Sequence, residues 1–169
     1  MTVEAHTTIS AQDELLWRRF VVLLSTVPAA LDERVRETTG LNHHQYTILA
    51  TLATQPDRML QMARVAQAAE SSLSRLSHTV SKLEAEGLVE RRTCDHDRRA
   101  SWAALTDKGF EVVTAASAAY DELKQEVLLS RVPEAVRGDL TSLLTQLLPG
   151  EVAQQCTEFD KDLTVEEPQ

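Results

Sequence analysis

Glycine and cysteine are both scarce in this sequence, and each shortage removes a class of protein. The five glycines stand at positions 40, 87, 109, 138 and 150, never closer than 12 residues. Neither a phosphate-cradling P-loop nor a dinucleotide glycine fingerprint can be assembled from them. Two cysteines, Cys94 and Cys156, cannot make a disulfide framework, and the opening Met1–His6 carries an acid where a signal peptide needs a basic flank. The longest apolar uncharged run, Phe20–Leu31, is broken by Ser25, Thr26 and Pro28 and falls short of the ~18 residues of a membrane span. A soluble, cytoplasmic, reduced protein without a membrane partner is the expectation. No G-x-S-x-G, H-E-x-x-H or paired-carboxylate constellation can be placed, so neither an enzyme nor a cofactor is expected. The histidines at 6, 43, 44, 78 and 96 form no His-x-x-x-His pair and the cysteines no Cys-x-x-Cys, which argues against a dedicated zinc site.

What is present is a chain of 169 residues, 43% hydrophobic, with a formal charge of −9. That length and apolar content suit one compact domain. The charge is unevenly spread: residues 1–57 carry −3, 58–109 carry +2 and 110–169 carry −8. Only the middle third has the balance to approach an anionic partner.

Apolar residues recur at helical spacing from Leu15 to Val35, so 12–38 reads as a long amphipathic helix, kinked at Pro28 and ended by Gly40. Asn42 with Gln45 forms a capping-box pattern ahead of Tyr46, Ile48, Leu49 and Leu52. Residues 63–69 are a short Ala-rich helical piece, followed by a helix over 72–86, and the tight link between them suggests a helix-turn-helix. The period then changes. Leu88–Thr93 and Ser101–Leu105 read as two short strands around an exposed Cys94–Arg99 loop, which completes a winged helix. Helix resumes at Thr106, and a last helix ends at Pro149-Gly150. Residues 151–169 are acidic and read as a mobile tail.

The helix over 72–86 is the most informative stretch. Leu73, Leu76, Val80 and Leu83 repeat at spacings of 3, 4 and 3, which predicts one buried stripe. The opposite face holds Ser71, Ser74, Arg75, His78, Ser81 and Lys82, with no acid among them, and Ser72 begins the helix. Small hydroxyls would let such a face lie deep in a major groove, with Arg75 suited to guanine edges. In the wing, Arg98 and Arg99 sit where a ribbon tip could enter a minor groove, and Asp97 could hold an arginine in one rotamer.

Four short segments in register carry a resemblance: Ser72-Leu73-Ser74-Arg75-Leu76, Leu83 to Arg91 with its Gly87-Leu88-Val89 core, Asp97-Arg98-Arg99-Ala100, and Leu105-Thr106-Asp107-Lys108-Gly109. Over residues 12–148 the chain resembles the MarR (multiple antibiotic resistance regulator) family. The resemblance implies a mainly α (α+β) winged helix-turn-helix fold, with the lobe at 42–109 and the terminal helices, 12–38 and 110–148, intertwined as a dimerisation domain. It implies a homodimeric regulator of double-stranded DNA, most often a repressor, with Asp97 and Arg99 in wing-tip roles. Excess Leu and Val in the terminal segments independently favour a two-fold partner, and two reading heads predict a pseudo-palindromic site with half-sites about one helical turn apart. One departure is that Ala63 stands where a Ser or Thr often caps the first helix of the motif, which should weaken that cap by ~1 kcal/mol.

The same resemblance suggests a small aromatic or phenolic effector between the dimerisation helices and the lobe, with Trp17, Phe20, His44 and Tyr46 as candidate pocket residues; core packing is the competing account of such side chains. Cys94, next to Arg91 and Arg92, is a redox candidate, against its reading as a small strand-end residue. The alternative to a DNA-binding regulator is a redox-sensing or small-molecule-binding protein whose winged helix serves protein contacts.

Overall fold

Caps set most of the helix starts. Ser10, Asn42, Ser72 and Thr106 each hold an extended backbone and accept a hydrogen bond from the N–H three residues on, which starts α1 (Ala11–Thr39), α2 (His43–Ala53), α4 (Leu73–Ala85) and α5 (Asp107–Lys124). Such a bond satisfies a donor that the first helical turn leaves orphaned. The Asn42–Gln45 capping box forms in full. Between α2 and α4 lie β1 (Met59–Gln61) and α3 (Met62–Ala68). The latter begins after Gln61, which makes no side-chain cap bond. The weak cap expected there is therefore Gln61's, and Ala63 is the second residue inside the helix.

The computed structural model describes residues 9–94 and 97–163, with the side chains of 93–100, 155 and 158–163 outside that description. After α4 come β2 (Val89–Cys94) and β3 (Asp97–Leu105). A π-helical turn at Gln125–Leu129 follows α5, and α6 (Glu134–Leu147) and α7 (Gly150–Leu163) close the described chain. The three strands form one antiparallel sheet in the order β1-β3-β2, with Leu60 opposite Ala103 and Val89 opposite Leu105. β1 was not expected, because three residues are too few to show a period of two.

Two expectations about boundaries need correction. The strands reach Cys94 and Asp97, which pair with each other after a register shift beyond Thr93, so Arg98 and Arg99 belong to β3 rather than to a loop. The segment beyond Pro149 is helical from Gly150 to Leu163, where a mobile tail was expected. Val152, Ala153 and Cys156 are half-buried, and α7 packs against α3. That apolar set at spacings of 1 and 3 gave the helix a face to bury.

One core serves the winged lobe. Ile48, Leu49 and Leu52 of α2, Val65 of α3, and Leu76, Val80 and Leu83 of α4 are fully buried together, with Val89 and Ala103 from the sheet and Val113 and Ala116 from α5. Helix α1 joins this core only near its C-terminal end, at Val35, and packs on α2 and α5. Its N-terminal half leaves Leu15, Leu16, Trp17, Val22, Leu23 and Leu24 exposed, and α6 leaves Leu143, Leu144 and Leu147 exposed. Apolar area of this extent is unusual on a monomer's surface.

Candidate nucleic-acid interface

The candidate surface is built on α4. Its stripe of Leu76, Val80 and Leu83 at 0% exposure fixes the helix against the core and turns Ser74, Arg75, His78, Ser81 and Lys82 outward to solvent. Leu73 departs from the expected stripe. It is 54% exposed, at the first position of the helix. It lines an open crevice of about 240 Å³ with Gln61, Met62, Ala63, Ser77, Arg91 and Ser101.

The serines assigned to this surface do not share one role. Ser72 is the N-cap, its Oγ accepting from the Arg75 N–H at 3.3 Å. Ser71, half-buried, donates to the Ser72 carbonyl. Ser81 donates to the Ser77 carbonyl at 3.0 Å and accepts from the Arg91 guanidinium at 2.8 Å, so most of its capacity is used within the lobe. Among the described residues, Ser74, Arg75, His78 and Lys82 have no side-chain ion pair and form the open part of the face.

Arg91 is a residue that sequence reasoning passed over. From β2 it reaches the Ser77 carbonyl at 2.7 Å and Ser77 Oγ at 3.2 Å, besides Ser81 Oγ, and its Nε lies 3.5 Å from Glu84. A signal was available: strand side chains alternate, so Arg91 shares the inner face of β2 with buried Val89 and must find polar partners there. Wing residues Asp97, Arg98 and Arg99 are placed on β3. Their side chains, and that of Cys94 at the end of β2, lie outside the description.

The proposed effector residues separate into two groups. Trp17 and Phe20 pair with ring centroids 6.2 Å apart on the exposed half of α1. At 1.5 Å rise per residue they stand roughly 22–27 Å along the helix from Val35, where α1 meets the core. They do not line a common pocket with His44 and Tyr46 in this chain. Tyr46 is instead a core residue, 5% exposed, with its ring 4.9 Å from Tyr120. His43 Nε2 shares a 2.9 Å hydrogen bond with Tyr120 Oη, and the His43 N–H donates to Asp32 Oδ1.

Electrostatics at this junction disfavour charged histidine. Burial pushes the His43 imidazole below its ordinary value despite the Asp32 carboxylate; burial, then the Arg75 guanidinium and His43, does the same to His44. His44 Nε2 is buried without a hydrogen-bond partner among the described residues. The head of α4 and the head of α2 are thus electrostatically in touch through Arg75 and His44.

A family model described as "MarR family" matches residues 39–100, which span α2, α3, α4 and most of the wing. The transcriptional repressor MprA of Escherichia coli is 29% identical over 98 residues, 58% of this chain. The chain spans about half the length of that curated relative, 56%. Sco3205 of Streptomyces coelicolor, a MarR family transcriptional regulator solved in complex with DNA, is 30% identical with a TM-score of 0.79, covering 85% of this chain and 96% of that one. AbsC of the same organism shares the fold at 24% identity and a TM-score of 0.77, covering 90% and 99%.

Proposed function

Because this chain belongs to the MarR family of transcriptional regulators, we propose that it binds double-stranded DNA as a cytoplasmic homodimer and represses transcription until a small aromatic or phenolic ligand releases it. The observation that carries the DNA reading is the outward face of α4. Ser74, Arg75, His78 and Lys82 are exposed, bear no acid, and are aimed by a stripe of fully buried leucine and valine. In a chain of −9 charge this face is the part that phosphate would tolerate. Arg75 is the residue assigned to base edges, and Asp97, Arg98 and Arg99 of the wing are those assigned to the flanking groove. The comparison with MprA supports repression, and the complex of Sco3205 with DNA supports DNA as the partner.

The dimer reading rests on the exposed apolar residues of α1 and α6, which a second copy would cover across a two-fold axis. The effector reading rests on the junction of α1, α2 and α5. There His43, His44, Tyr46 and Tyr120 bring aromatic and titratable groups together beside Arg75. Ligand at that junction would act by changing how the lobes sit relative to each other, and hence the half-site spacing they match.

Fluorescence anisotropy against the intergenic DNA beside its own gene tests the reading. A specific, salt-sensitive complex is expected, and absence of one at low salt would overturn it. Arg75→Ala should change base preference at one position per half-site, whereas Arg99→Ala should weaken binding broadly and lower the salt slope by about one unit.

A further inference from the structure

We infer that Arg91 is a positioning residue for DNA recognition, setting the angle between α4 and the β2–β3 ribbon so that helix and wing engage one stretch of duplex together. The inference rests on the DNA-binding reading of α4. Ser77, Ser81 and Glu84 are spaced 4 and 3 residues apart and so share one face of that helix. Arg91 engages all three from the neighbouring strand. Its Nη2 carries two protons, and the Ser77 carbonyl at 2.7 Å and Ser81 Oγ at 2.8 Å take the two shortest bonds. Its backbone N–H donates to Glu84 Oε1 at 3.3 Å, while Glu84 Oε2 lies 3.5 Å from Nε.

These contacts differ in kind from the apolar part of the helix–wing interface. Leu83, Leu88 and Val89 pack there as buried apolar groups, and apolar burial is non-directional. A planar guanidinium that donates to fixed acceptors defines an angle, which packing alone does not. The same geometry argues against Arg91 as a phosphate ligand. Its charge faces Glu84, its side chain is only 31% exposed, and its Nη2 donors are already occupied. Ser81 follows from this: it belongs to the clamp, and an altered Ser81 acts on DNA through Arg91.

The test uses the full chain and two duplexes, one selected by the wild type from a random pool and one of scrambled sequence. Affinities are corrected for folded fraction by circular dichroism melts. Arg91→Ala should lose tenfold or more of its affinity for the selected duplex and stay within about twofold on the scrambled one. Arg91→Lys should fall short in the same way, because a point charge cannot reproduce the fork. Ser81→Ala should show a smaller loss of the same kind, and the double variant with Arg91→Ala should bind no more weakly than Arg91→Ala alone. Equal losses on both duplexes would mean that Arg91 touches phosphate, and unchanged corrected affinities would mean that it serves stability only. Either result overturns the inference, and Ser81→Ala, an exposed substitution, still decides it should Arg91→Ala fail to fold. A wild type that selects no sequence would instead remove the DNA-binding reading, and this inference with it.

Discussion

Replacing Gly109 by alanine should be among the most damaging single-atom changes available in this protein, and the geometry says by how much. A Cβ at that position would lie 2.2 Å from the Leu88 carbonyl oxygen and 2.6 Å from Leu105 Cδ1, whereas ordinary contact begins near 3.4 Å. The nearer atom is backbone, so it cannot rotate aside. The first turn of α5 would have to retreat from the start of the wing by about an ångström, stretching the 3.1 Å bond from the Thr106 N–H to that same carbonyl. Overpacking costs about 1–3 kcal/mol, and a lost buried hydrogen bond adds about 1 kcal/mol. A total of about 2–4 kcal/mol corresponds to a fall in Tm of roughly 5–15 °C for a chain of this size. Urea melts of wild type and variant at one protomer concentration measure it, since association shifts apparent stability. Gly138→Ala is the control. Nothing lies within 4 Å of a Cβ there, and the position is roughly opposite the Val136, Leu143 and Leu147 stripe of α6, so a gain of about 0.5–1 kcal/mol is expected. A Gly109→Ala variant within about 0.5 kcal/mol of wild type would refute the close approach.

Three further outcomes follow from the same contacts. Thr106→Val keeps the shape but removes both the cap bond to the Gly109 N–H and the 2.8 Å bond to the Gly87 carbonyl, so it should cost about 1–2 kcal/mol in urea melts; a neutral result would deny the cap its role. Leu147→Asp on exposed α6 should shift sedimentation toward monomer and abolish DNA binding while leaving the helical content of each chain near wild type, and a variant that stays dimeric would place the interface elsewhere. Acid should destabilise the fold through His43 and His44, whose burial lowers their pKa: the unfolded chain takes up protons first, so this stability is complete above about pH 6.5 and is lost as pH falls through the folded values. His43→Gln should flatten that acid limb in urea melts, and an equally steep limb would refute the assignment.

Legibility of the sequence followed the range of the interactions. The cap at Asn42, the restart of helix at Thr106 and the Leu76–Val80–Leu83 stripe are local patterns, and each lies where the sequence pattern placed it. The MarR-type motif pieces acquire physical meaning from the structure. In Leu105-Thr106-Asp107-Lys108-Gly109, the leucine enters the core, the threonine caps α5 and ties back to Gly87, and the glycine admits the Leu88 carbonyl. In Gly87-Leu88-Val89, the glycine takes a left-handed φ of 71° and the next two residues are buried. Besides β1 and α7, what escaped sequence reading was non-local. Nothing in the chain order shows that Arg91 meets Ser77 and Ser81, that Tyr120 meets His43, or that Trp17 and Tyr46 belong to opposite ends of α1's reach. The bond between Arg91 and Ser81 is of this kind: a helical wheel shows which face a residue occupies, but not which strand it meets there.

The acidic C-terminal stretch gains a role from α7. Read as a loose tail, residues 151–169 would spread their charge through solvent, but α7 packs against α3, the first helix of the DNA-binding motif. Those nineteen positions hold six acids against Lys161, so much of the chain's −9 is carried by a segment whose helix is docked on the lobe that must approach phosphate. Repulsion over such distances acts within about a Debye length, and it falls on specific and non-specific complexes alike. Deleting 150–169 should therefore strengthen binding to a scrambled duplex by roughly three- to tenfold at about 50 mM salt, with the two proteins converging near 0.3 M as screening removes the difference. Anisotropy titrations across that salt range read it directly. A gain that persists undiminished at high salt would mean that α7 blocks the lobe by contact, and no gain at low salt would mean that its charge is turned away from the DNA path.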